Sequence, residues 1–211
     1  MTPVFEEYRR AWAFLKRLLR PFLLLLLLFL AVAVAAHFIL EAQYRGDPAM
    51  MRQHMSQLMA MLDGKDLLDE NGRLSAWALF LNNFLAAGMA VVTGLMPFLF
   101  IPLATLSLNA SVIGVLSAII AVSEQGSLCA LAVSVLPHGI FEIPALLIGV
   151  AMGCTLCLDI SARMLRRRRD LPFLALLFEI IRLSALVVVP LLAVAAVIET
   201  YGTPALMDML L

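Results

Sequence analysis

Apolar residues fall along this chain in long, nearly uninterrupted runs, without the period-two alternation of half-buried strands. Pro21 to Leu40 holds twenty residues with no Asp, Glu, Lys or Arg. Further runs cover about Leu74–Ile101, Leu103–Val122, His138–Leu158 and Pro172–Ile198. A helix rising ~1.5 Å per residue needs about twenty such residues to cross ~30 Å of hydrocarbon. Each run is therefore read as a membrane span. The ten apolar residues from Ser127 to Leu136 are too few to cross and are read as a re-entrant or interfacial half-helix.

Between the first and second runs the pattern changes to helical spacing. Met51, Met55, Leu58, Met59 and Leu62 form one stripe, with Arg52, Gln53, Ser56 and Gln57 opposite. Asp47-Pro48 starts such a helix and Gly64 stops it, which predicts an amphipathic helix over 48–63 on the outer surface. Ser75 after Asn71-Gly72 is an N-cap for the second span. Pro97 to Pro102 breaks the chain between spans two and three and carries no charge to orient it. The predicted fold is all-α: one polytopic membrane domain over 1–211, with five spans, a half-helix and an outer amphipathic helix.

Composition agrees with that class, at 63% hydrophobic and 14% charged residues. The placement of charge adds direction. Arg9, Arg10, Lys16, Arg17 and Arg20 precede span one, and Arg163 with Arg166 to Arg169 separates spans four and five. The 41–73 segment carries more acid than base. The positive-inside bias then predicts a cytoplasmic N-terminus over 1–20, an outer 41–73 loop, a cytoplasmic arginine-rich loop over 159–171 and an outer C-terminus. A signal peptide is the rival reading of the first run, with Ala31-Val32-Ala33 as its cleavage signal; the length of the run to Leu40 favours an uncleaved span. The arginine run serves as a topology anchor and also suits anionic lipid. Cys129, Cys154 and Cys157 all lie in apolar segments and read as packing residues, not as a disulfide framework or metal site.

Helices in lipid associate through small residues that let backbones approach. Such ridges are Ala86, Ala90 and Gly94; Ala110, Gly114 and Ala118; and Ala145, Gly149 and Gly153. They build the bundle or mediate self-association. Span one, with Leu23 to Leu28, lacks a ridge and is expected to be peripheral, with His37 at the interface.

Candidate chemistry sits where charge is expensive. From Leu99 to Leu158 the only charged residues are Glu124 and Glu142, and His138 is the only histidine. His138 and Glu142 share a helix face at i, i+4, between Pro137 and Pro144, which are expected to interrupt the helix. Asn82 and Asn83 fall at similar depth, and one or the other is expected to hydrogen-bond the pair. Three readings stay open: a polar clamp, a broken-helix transport or proton-relay site, and an intramembrane hydrolase with Glu142 as base. The last lacks the second histidine of H-E-x-x-H. Glu179 and Arg182, at i, i+3 in span five, read as a buried ion pair, with Asn109 at comparable depth. Met50, Met51, His54 and Met55 give a copper reading, since thioethers suit Cu(I).

Asn82-Asn83 in one span, Asn109 in the next, and Pro-His-Gly-Ile-Phe-Glu-Ile-Pro-Ala from Pro137 resemble the stage II sporulation protein M family. The motif covers about residues 75–160. One departure is Asn109-Ala110, where the family commonly has Asn-Gly. The resemblance marks Asn82, Asn83, Asn109, His138, Gly139, Glu142 and Pro144 as motif positions. It implies a multi-span membrane protein that, in spore formers, works with wall-degrading partners during engulfment; relatives occur in prokaryotes that never sporulate. The expectation is a non-enzymatic scaffold or subunit in a prokaryotic plasma membrane, with lipid, membrane or wall-associated proteins and itself as partners. No cofactor, metal or nucleic acid is expected.

Overall fold

The computed structural model describes residues 3–63, 67, 74–123, 128–169 and 171–210. Its elements are helical: α1 (Pro3–Gly46), α2 (Pro48–Asp63), α3 (Ala76–Thr93), α4 (Pro102–Val122), α5 (Leu128–Met164), α6 (Phe173–Leu183), α7 (Val189–Val197) and α8 (Thr203–Leu210). Five helical segments are long and apolar enough to span a membrane, the last running from Phe173 through α6 and α7 to Leu206. Leu62's side chain, Gly64, Asn71-Gly72, Glu124, Ser127 and Cys129's side chain lie outside the described residues.

Local chemistry sets the helix starts. The Ala49 amide donates to Asp47 Oδ1 at 2.9 Å, and the Ala78 amide reaches Ser75 Oγ at 3.4 Å. Each satisfies a first-turn donor that no helix can satisfy internally.

Three expectations need correction. The apolar piece before His138 is not a separate half-helix, because α5 runs unbroken from Leu128 to Met164 through Pro137 and Pro144. A proline removes one hydrogen bond, and the helix on either side carries the backbone across. The arginine-rich 159–171 segment is helical as far as Met164, since Asp159 and Arg163 pair at i, i+4 near a helix end that favours a cation. Chain over 41–46, expected as loop, belongs to α1.

The last span contains two π-helical turns, Ser184–Val188 and Ile198–Gly202. Each ends two residues before a proline, Pro190 and Pro204. A proline ring clashes with the carbonyl four residues earlier, and a wider turn relieves that clash.

Two compact units divide the helices. The first comprises Met1–Leu28, Asn83–Leu106 and Phe141–Ala193. In it α5 is buried at nearly every position from Ala145 to Cys157, the mark of a helix surrounded by others. Small residues bring α3 onto it: Gly149 faces Ala87, and a Cβ on Gly153 would run into the Ala90 carbonyl. Gly94 meets the Gly153 backbone in the same way. The connection after α3 puts Phe98 and Phe100 in left-handed backbone, φ 66° and 47°. The Phe98 amide donates to Ser161 Oγ at 2.9 Å, and Cys157 Sγ donates to the Met96 carbonyl at 3.3 Å. Those bonds hold the uncharged turn against α5.

The second unit comprises Phe29–Asn82, Ser107–Ile140 and Val194–Leu211. Here α1 is not peripheral: Gly114 of α4 admits Ala33 and Ala36, and His37 Nδ1 lies 3.0 Å from Ser117 Oγ. Ala31 to Ala36 supplies the small surface that Leu23–Leu28 lacks, and His37 turns inward with it. Leu23, Leu24, Leu27 and Leu28 are exposed, as a lipid face requires. Met50, Met51 and Met55 pack α2 against buried Tyr44, Ala118 and Ile119. Tyr44 Oη and His54 Nδ1 lie 2.8 Å apart. Tyr44→Phe is expected to cost about 1 kcal/mol and to speed amide hydrogen exchange over α2 more than elsewhere in a nanodisc-embedded sample. Unchanged α2 protection would show that methionine packing alone holds the helix.

Candidate functional site

His138 projects from α5, half-buried, beside buried Gly139. Glu142 follows one turn later on the same helix, and Pro144 continues that helix instead of breaking it. The π-helical turn at Ile198–Gly202 carries Glu199. A ring nitrogen of His138 and a carboxylate oxygen of Glu199, both in the second unit, lie within 4.8 Å of each other. His138 Nδ1 is buried with no hydrogen-bond partner. An imidazole and a carboxylate one turn apart on an apolar helix are costly there and make a functional candidate.

Asn82, Asn83 and Asn109 are half-buried on α3 and α4, and each engages a partner. Asn109, expected level with Arg182, belongs to the second unit, whereas Arg182 belongs to the first. Ala110, where the family commonly has glycine, is fully buried.

In the first unit, Arg182 Nη1 sits 2.7 Å from Glu179 Oε1. Arg182 Nε also donates to Glu7, from the cytoplasm-predicted end of α1. Two carboxylates therefore hold this guanidinium within an apolar helix. Asp159, 5% exposed, collects two arginines: Arg163 at 2.6 Å and Arg169 at 3.1 Å. Arg163 also bonds the Leu171 carbonyl and stacks 5.9 Å from the Phe173 ring. A cavity of about 200 Å³ opens beside this knot, with Arg17, Thr155, Asp159 and Arg169 among its polar lining. Cys154 and Cys157 are buried and unbridged. Of the copper set, Met50, Met51 and Met55 pack against Tyr44, Ala118 and Ile119, and His54 Nδ1 lies 2.8 Å from Tyr44 Oη.

Sequence reasoning missed three residues. Glu199 had a signal, as an isolated acid at the end of an apolar span. Asp159 had one too, four residues before Arg163. Glu7 had none, because 175 positions separate it from Arg182.

A family model described as Stage II sporulation protein M matches residues 23–204. No curated protein and no solved structure matches the chain.

Proposed function

The chain belongs to the stage II sporulation protein M family, and on that premise we propose that it is an integral membrane scaffold in an envelope-remodelling assembly. It acts in a prokaryotic plasma membrane, with the N-terminus in the cytoplasm and α2 outside. Its partners are wall-degrading enzymes or the membrane proteins that carry them.

The attachment of α2 carries this reading. Methionine packing and the Tyr44–His54 bond fix the helix on the second unit, which leaves Arg52, Gln53, Ser56 and Gln57 exposed. A polar face on a clamped helix is pre-organised, so a partner that docks there loses little ordering entropy. The ion pair between Arg182 and Glu7 fits the same reading, because it fixes α6 to α1.

A second reading, transport through His138 and Glu142, draws on an imidazole and a carboxylate one turn apart on an apolar helix. One experiment separates them. Wild type, Glu142→Gln and a chain with Arg52, Gln53 and Gln57 all changed to Glu are gently solubilised from native membrane, and bound proteins are identified. Scaffolding predicts a wall-degrading enzyme or its membrane carrier with the first two and loss with the third. A Glu142→Gln chain that keeps its partners and its fold but loses cellular function would overturn scaffolding in favour of transport.

A further inference from the structure

We propose that the cavity between α1 and α5 binds the phosphate of one anionic phospholipid. This goes beyond scaffolding and stands or falls separately from it. The whole lining of the cavity belongs to the first unit. Arg17 of α1 and Arg169, from the chain after α5, stand on its wall with Thr155 and Asp159. The Asp159 carboxylate is already taken by Arg163 at 2.6 Å and Arg169 at 3.1 Å. Arg17 is exposed and pairs with no acid among the described residues. Three guanidinium groups therefore meet one carboxylate here, a surplus of positive charge that an anion balances. Phosphate suits it best, because arginine forks match phosphate oxygens and basic pockets between membrane helices hold anionic headgroups.

Place and lining select a lipid over free phosphate. Pro21 opens the uncharged run of span one, and Arg17 precedes it by about one turn. The cavity therefore sits where headgroups give way to hydrocarbon. Phe14, Leu18, Leu171 and Leu176 complete its wall, an apolar surface that a lipid's glycerol and first acyl carbons would cover. The backbone brings the second arginine back to this place. At the end of α5 the Arg166 amide donates to the Arg163 carbonyl at 3.0 Å, and the Arg167 amide to the Ala162 carbonyl at 2.9 Å. That pair of bonds ends a helix through a left-handed residue, usually glycine, and here Arg166 holds φ 54°. The reversed chain then returns Arg169 to Asp159.

The test uses the full-length chain, stripped of lipid in neutral detergent and titrated with phosphatidylglycerol or phosphatidylcholine, with bound lipid counted by native mass spectrometry. In wild type, which needs no variant to fold, the first phosphatidylglycerol is expected to bind about 10-fold tighter than phosphatidylcholine. Arg17→Gln and Arg169→Gln are each expected to weaken it about 10-fold, the loss of one charge-assisted hydrogen bond. Arg166→Gly removes a charge from the same run while easing its left-handed backbone, and is expected to bind as wild type does. Inorganic phosphate and glycerol 3-phosphate are expected to leave the lipid in place. Equal binding of the two lipids, Arg17→Gln that binds as wild type does, equal losses in Arg17→Gln and Arg166→Gly, or displacement by inorganic phosphate would each overturn the proposal.

Discussion

Gly153→Ala is expected to cost about 3 kcal/mol of stability, at the upper end of what overpacking does. The new methyl would meet the Ala90 carbonyl and the Pro102 ring at once. Backbone atoms cannot rotate away, so α3 and α5 must separate, and the fully buried Ala90 would lose its close contact with Gly153. Gly88→Ala is the matched control. Nothing lies within 4 Å of a Cβ at Gly88, and alanine gains roughly 1 kcal/mol in helix propensity. Thermal unfolding of both variants in nanodiscs checks the pair. A Gly153→Ala protein as stable as wild type would mean that α3 and α5 do not touch along this ridge.

Arg182→Leu is expected to have the second largest effect, about 3 kcal/mol. Breaking a buried ion pair costs ~3–5 kcal/mol, because the remaining charge stays desolvated. The lower end applies here because the Glu7 side chain is 47% exposed. Glu7→Gln should then cost under ~1 kcal/mol. Adding Glu179→Leu to Arg182→Leu should recover much of the loss, since no carboxylate is left unpaired among apolar neighbours. Unfolding measured for wild type, Arg182→Leu, Glu179→Leu and the double variant gives the coupling directly. A double variant less stable than Arg182→Leu alone would contradict the pairing.

The sequence carried the architecture well, because lipid leaves few choices. Long apolar runs must be helical, and their number, the Ser75 cap and the Asp47-Pro48 start all follow from local rules. The path of the helices was less legible. Proline rules argued for a break at Pro137 and Pro144, yet α5 passes through both. At Pro190 and Pro204 the helix also continues, by widening its preceding turn. A period of 3.6 residues assumed across such a turn misplaces everything beyond it, and Glu199 went unnoticed partly for that reason.

Span one shows the same limit. Its leucine run was a sound guide to lipid exposure over 23–28, but Ala33 and Ala36 carry the contact with Gly114. The alanine-rich stretch over 31–36, with valines interleaved, displays no small-residue ridge sustained at four-residue spacing. The candidate site was half legible. His138 and Glu142 follow from helical spacing, while Glu199 and Glu7 reach their places through tertiary packing that no local pattern encodes.

On the scaffolding proposal, α2 is a clamped platform for a wall-remodelling partner. A photo-crosslinking amino acid at Gln53 or Gln57, activated in native membrane, tests it most directly. A docking platform predicts a covalent adduct with a wall-degrading enzyme or its membrane carrier, and none when the crosslinker replaces lipid-facing Leu24. Adducts to lipid alone, or the same adducts from Leu24 as from Gln53, would contradict it.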